Sequence, residues 1–168
     1  MSLLKRINWK GWIINLAIIL IAYSLIQAYH SRDAPTAGIA PDIQGQTLDG
    51  QIIRLNNMRG KPVLLHFWAT WCGICRLEYD SIDELAQHYQ VITVASQSGS
   101  GSDIQRHVKK EGIEAPVLVD QSGTLAKRYG IKGFPSTFVI DAEGKIYDLE
   151  VGYSTYWGLK WRLWMAGL

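Results

Sequence analysis

Six residues without a turn former, Val63 to Trp68 (VLLHFW), run into Ala69-Thr70-Trp71-Cys72, and the period of the chain then changes. Cys75, Tyr79, Ile82, Leu85, Ala86 and Tyr89 recur at three and four, the pattern of a helix with one buried stripe. Val91 to Ala95 (VITVA) is a second β-rich run. Ser102-Asp103-Ile104-Gln105 then opens a further helix with a capping-box pattern that stops near Gly112. Strand, helix, strand, helix implies parallel pairing and an α/β sheet. A short strand over Val117–Val119, a helix over Thr124–Tyr129 stopped by Gly130, and a strand over Thr137–Ile140 come next. Asp141-Ala142-Glu143-Gly144 turns that strand into Lys145–Val151, an antiparallel hairpin that gives the sheet a mixed edge. Tyr156–Leu168 reads as a helix carrying Trp157, Trp161 and Trp164, and Ser96–Ser102 (SQSGSGS) reads as a flexible loop.

The N-terminal part obeys a different rule. From Trp12 to Tyr29 eighteen residues carry no charge, and as a helix they would extend about 27 Å, close to the ~30 Å hydrocarbon core of a membrane. The run exceeds the apolar region of a signal peptide, and the small residues between Ala34 and Ala40 make a poor cleavage site because they include Pro35 and Ile39. An uncleaved anchor is the expectation, against a buried core helix or a cleaved signal. Lys5, Arg6 and Lys10 precede the span while Arg32 and Asp33 nearly cancel after it, which leaves the N-terminus in the cytoplasm. The expected organisation is a cytoplasmic segment 1–11, an anchor 12–29 with Trp9, Trp12 and Tyr29 as interfacial residues, a linker 30–41 and one domain over 42–168. In a bacterium that domain would face the periplasm from the inner membrane, in a single-pass arrangement. Without the three cations of the anchor region, fourteen basic side chains remain against fifteen acidic ones, so nothing in the domain resembles a nucleic-acid-binding face.

Cys72 and Cys75 are the chain's two cysteines. Outside the cytoplasm such a pair becomes a disulfide unless something reduces it. At the first turn of a helix the spacing brings both thiols within bonding reach and aims free backbone amides at Cys72, which lowers a thiol pKa. The first thiolate can attack another protein's disulfide, and the second can resolve the mixed disulfide. A zinc site lacks a second ligand pair, since His30, His66, His88 and His107 show no ligand rhythm, and a c-type haem site would need His where Arg76 stands. A structural staple enclosing two residues would constrain the unfolded chain very little. A peroxidase of the peroxiredoxin type would need Thr or Ser three before the cysteine, where Ala69 stands. No metal and no cofactor beyond the cysteine pair is expected.

The stretch from Lys61 to Glu78 (KPVLLHFWATWCGICRLE) resembles the active-site strand and helix of thioredoxin-like proteins, in particular the membrane-anchored TlpA/ResA type. Further matches follow in order: Ala40-Pro41-Asp42 and Asp49-Gly50 in an N-terminal hairpin extension, Ala115-Pro116-Val117-Leu118, Tyr129 through Phe138, and Ile140 through Gly144. They cover roughly residues 38–152, and among members of the family the suppressor-of-copper-sensitivity D type is similar. The resemblance implies a thioredoxin-like α/β fold, with a mixed central sheet, flanking helices and the hairpin extension, preceded by the anchor. It also implies a protein-disulfide oxidoreductase, in the reducing direction, acting on extracytoplasmic protein disulfides or thiols and fed by a membrane thiol electron donor. The rival class is a periplasmic copper- or haem-handling module that uses the same cysteines as ligands. The central Gly73-Ile74 is neither the proline-containing pair of reducing relatives nor the Pro-His of strong oxidants.

The resemblance further implies a cis Pro135 beside the cysteines and a Phe134 backbone that pairs with the substrate chain, with Trp71, Gly73 and Ile74 completing the substrate surface. Glu78 matches an acid that assists proton transfer, its alternative being electrostatic support of a helix start. His66 departs from the pattern, standing where Asp or Asn is usual. It is a candidate to exchange a proton with Cys75, titrating near neutrality if accessible, and its alternative is a satisfied core histidine. Trp68 is expected to pack beneath the site. The three C-terminal tryptophans are expected to cover the sheet, with lipid or a partner as the other reading.

Overall fold

The computed structural model describes residues 9–31 and 34–168. The first element, α1, is a helix over Trp9–Ser31, 23 residues or about 35 Å long. Its described side chains form an unbroken exposed run over 12–22, about 17 Å at the helical rise. Among the described residues no helix is long and apolar enough to cross a membrane. Lys5, Arg6, Arg32 and Asp33, and the side chains of Lys10, Tyr23 and Tyr29, on which the expected span and its orientation draw, lie outside the described residues.

The hairpin extension is present as β1 (Gln44–Gln46) and β2 (Ile52–Arg54). The main sheet contains β3 (Val63–Trp68), β4 (Gln90–Ser96), β5 (Val117–Asp120), β6 (Ser136–Ile140) and β7 (Ile146–Val151), in the order β5-β4-β3-β6-β7. β3, β4 and β5 are parallel, β6 runs antiparallel to β3, and β7 antiparallel to β6, so the mixed edge expected from the hairpin is there. The extension docks at the β5 edge, where the Leu48 amide donates to the Val117 carbonyl at 3.0 Å and Gly45 lies against Leu118.

The helices are α2 (Tyr79–Ala86), α3 (Gly101–Glu111), α4 (Thr124–Arg128) and α5 (Tyr156–Met165). Side chains of β3 alternate between two faces. Val63, Leu65 and Phe67 join Ile92, Val94, Ala126, Tyr129 and Phe138 in a core roofed by α4 and the N-terminal segment. Leu64 packs instead with Ile82, Leu85, Leu159 and Leu163 of α2 and α5, and Trp68 with Ile104 of α3. Residues 38–40, read as the end of a linker, are pinned to the sheet: the Ala40 amide donates to Gly144, and the Ile146 amide to Gly38.

Two local expectations change. The capping box of α3 is formed by Ser100 and Asp103, not by Ser102 and Gln105, because the N-cap lies two residues earlier and the Asp103 carboxylate reaches back to the Ser100 amide at 2.9 Å. The serine-rich segment is a built turn rather than a flexible loop: Ser96 and Ser98 are buried, and Ser98 Oγ accepts from Thr70 N at 3.0 Å while donating to Ser96 O at 2.9 Å.

Buried Asp120 ties β4, β5 and α4 together, accepting from Ser96 Oγ, Leu125 N and Ala126 N at 2.8, 3.1 and 2.9 Å. Asp120→Ala leaves these three donors without the carboxylate and is expected to cost about 3 kcal/mol, read as a lowered urea midpoint with an unchanged slope.

Candidate active site

β3 delivers the chain to the end of the sheet, where the Cys72 amide turns back to the Ala69 carbonyl at 3.1 Å. Cys72 and Cys75 form a disulfide with Cα atoms 5.4 Å apart. Regular α-helix does not begin at the cysteines as the stripe implied. Cys75–Leu77 is a 3-10 turn and α2 starts at Tyr79. The expected amide is nonetheless in place, because Cys75 N donates to Cys72 Sγ at 3.2 Å. The same contact would stabilise a Cys72 thiolate in the reduced pair. Cys72 is 7% exposed and Cys75 is fully enclosed, so the first sulfur is the one an incoming disulfide meets.

The Phe134–Pro135 peptide is cis, as the resemblance implied. Phe134 packs against the cluster that holds both cysteines, and its ring meets Trp71 edge to face at 5.6 Å. Trp71 is exposed and held by its Nε1, which donates to Gln97 O at 3.1 Å. Gly73, Ile74 and Leu77 are exposed around Cys72, and a side chain at Gly73 would meet nothing within 4 Å. Beside this rim lies an open groove of about 580 Å³ whose lining includes Trp71, Phe134, Gly123, Lys127 and Lys132. Trp68 lies beneath, buried, with its ring on Tyr79 at 5.4 Å.

Glu78 is wholly enclosed. It stands at the N-cap of α2 but its side chain makes no cap hydrogen bond there, and its Oε1 accepts from Ser154 N at 2.6 Å. Its Oε2 has no hydrogen-bond partner among the described residues. Burial pushes its pKa up to about 7; the Ser154 amide opposes this and the Glu150 charge adds to it. Glu78 is therefore poised between its two protonation states near neutral pH, three residues from Cys75.

His66 sits on the α2-facing side of β3, between Leu64 and Trp68. It is buried, and its Nδ1 lies 2.9 Å from Thr137 Oγ1, its cross-strand neighbour. Enclosure lowers its pKa to about 4, so titration near neutrality, expected for an accessible ring, does not occur. Its Nε2 has no hydrogen-bond partner among the described residues.

The site also has supports that no motif marked: Ser98 and Gln97 from the turn after β4 hold Thr70 and Trp71, and Ser154 holds Glu78. A serine-rich run was the one available signal, and it pointed to mobility instead. Among the described residues no three His, Cys, Asp or Glu side chains gather into a metal site.

The AhpC/TSA family model matches residues 37–149. The thiol-disulfide oxidoreductase ResA of Bacillus cereus is 31% identical over 141 residues, 80% of this chain and 82% of its own length. The pneumococcal exposed lipoprotein thioredoxin Etrx1 of Streptococcus pneumoniae is similar in structure, with a TM-score of 0.67 and 34% identity over 74% of this chain and 99% of that one. A thiol:disulfide interchange protein of the thioredoxin family from Chlorobium tepidum gives a TM-score of 0.67 at 27% identity, over 76% and 94% of the two chains.

Proposed function

This chain belongs to the AhpC/TSA family as a thioredoxin-like thiol-disulfide oxidoreductase, and on that premise we propose that it is a membrane-anchored periplasmic reductase of protein disulfides. The observation that carries the reading is the Cys72–Cys75 disulfide, closed at an apolar rim with Cys72 outermost and the Cys75 amide on its sulfur. Cys72 thiolate attacks one sulfur of the substrate disulfide, and the other leaves as a thiolate that takes up a proton. Cys75 then loses its proton and attacks Cys72 Sγ, closing the disulfide and releasing the second substrate thiol. Two electrons pass to the substrate per cycle. A membrane dithiol donor restores the pair.

Glu78 is the acceptor for the Cys75 proton, since a carboxyl with a pKa of about 7 holds and releases a proton at working pH. His66 remains neutral, and its Nε2 is the group by which it would take part. Cis Pro135 and Phe134 present the backbone edge along which an extended substrate segment pairs, with Trp71, Gly73 and Ile74 as its floor. The uncharged run 12–29, preceded by Lys5, Arg6 and Lys10, supports the anchor, and kinship with an exposed lipoprotein thioredoxin supports an extracytoplasmic domain.

Direction is tested by the reduction potential of the pair together with its state in growing cells by acid trapping and thiol alkylation. The reductase reading predicts a potential near or below about −200 mV and a mainly dithiol pool. A value near the about −120 mV of a strong oxidant, with a mainly oxidised pool, contradicts it. Stoichiometric Cu(I) binding that is lost in Cys75→Ser, with no disulfide exchange, would favour the metal-handling class instead.

A further inference from the structure

The outer face of α5 is uncovered. Leu159, Leu163 and Ala166 point into the core, yet Trp157, Trp161 and Trp164, at spacings of four and three, are 73%, 60% and 50% exposed on the opposite side. The expectation that these tryptophans cover the sheet is thereby corrected: the leucines do so. A helix apolar on both sides normally has something on both sides. Trp161 and Trp164 lie 5.0 Å apart, and the Lys160 ammonium sits over the rings of Tyr156 and Trp157 at 5.1 and 5.2 Å. With Tyr89 they line one shallow apolar surface. Indole rings beside a lysine are the chemistry of a bilayer's headgroup boundary.

The placement of this face says what covers it. Ser31 ends α1 and Gly38 is already bonded to Ile146, so the intervening chain reaches at most about 24 Å when fully extended. The attachment point lies at the end of the sheet where Val63 pairs with Ile140 and Gly60 bonds to Ala142. The C-terminus of α5 reaches the same end, since a Cβ on Gly167 would stand 3.2 Å from Pro62. Exposed Arg59, Lys61 and Lys145 lie there with exposed Glu143 and half-buried Asp141, a small local excess of cations suited to anionic headgroups. Cys72 is at the opposite end of β3, about 20 Å farther from the tether.

We propose that the outer face of α5, with Trp157, Trp161 and Trp164 as its anchors, seats on the lipid headgroup region of the membrane that holds α1. The inference rests on the anchored reading above. The test uses the full chain in nanodiscs of phosphatidylethanolamine and phosphatidylglycerol with and without brominated acyl chains. Emission from α5 is the difference between the parent and Trp157→Ser/Trp161→Ser/Trp164→Ser. Emission from the anchor is the difference between the parent and Trp9→Phe/Trp12→Phe. Docking predicts that brominated lipid quenches the α5 emission by roughly half or more and that aqueous acrylamide quenches it little. Anchor emission quenched by bromine while α5 emission responds only to acrylamide overturns the docking and leaves the anchor standing. If bromine affects neither, both fall. If α5 emission is shielded from both quenchers, a second copy covers the face and the proposal fails. Should the triple variant not fold, Trp161→Ser alone gives the same readout at smaller amplitude.

Discussion

Cys72→Ser is expected to reduce disulfide exchange by about 10³-fold or more, the scale of losing a nucleophile for which no neighbour can substitute. Cys75→Ser should behave differently and accumulate a mixed disulfide between Cys72 and the substrate. The asymmetry follows from packing: Cys72 is the less enclosed of the two and its sulfur receives the Cys75 amide, whereas Cys75 is fully enclosed and meets only what is already bound to Cys72. Non-reducing electrophoresis and mass spectrometry of the two variants, mixed with a protein disulfide, check both statements. Equal trapping by Cys72→Ser and Cys75→Ser would contradict the assignment of attacking and resolving sulfurs.

The second large effect concerns Glu78. Its pKa is raised from 4.5 to about 7, so between those values the folded protein binds a proton that the unfolded chain has released. Stability must then fall as pH rises through that window, by on the order of 3 kcal/mol when ionisation is complete. Glu78→Gln keeps an oxygen to accept from Ser154 N and removes the titration. In the oxidised protein, where neither cysteine titrates, the variant is expected to match the parent near pH 4 and to exceed it by up to that amount at pH 8. Urea unfolding across pH measures the difference. If Glu78 also takes the Cys75 proton, the same substitution lowers the resolving rate at pH 7 and flattens its pH profile around 7, an effect that a purely structural role does not produce. A variant with the parent's pH dependence in both stability and rate would remove Glu78 from the mechanism.

Much of this site was legible because its chemistry lies on local patterns. The run VLLHFW, the three-and-four stripe after Cys75 and the Asp141–Gly144 turn each declare an element through nearest neighbours, and the cysteine spacing is local too. What escaped notice depends on side-chain bonds between distant residues. Ser98 supports Thr70 across 28 positions, His66 meets Thr137 across 71, and Glu78 meets Ser154 across 76. No periodicity encodes such pairs, which exist only once the strands are in register. The 3-10 turn at Cys75–Leu77 was hidden for the opposite reason: its spacing of three lies inside the helical pattern and differs from it only in pitch. His66 shows how burial changes a residue's chemistry, since an imidazole that titrates near neutrality in water is held to about 4 when enclosed between Leu64 and Trp68.

The central claim is that Cys72 and Cys75 pass two electrons to a protein disulfide as one unit. The most direct measurement mixes the fully reduced chain with a limiting series of disulfide substrate, quenches with acid, and maps every thiol and disulfide. One mole of Cys72–Cys75 disulfide formed for each mole of substrate disulfide reduced, through a transient Cys72 adduct, is the predicted result. A dithiol that remains reduced while the substrate is untouched, or adducts that form and never resolve, would contradict it.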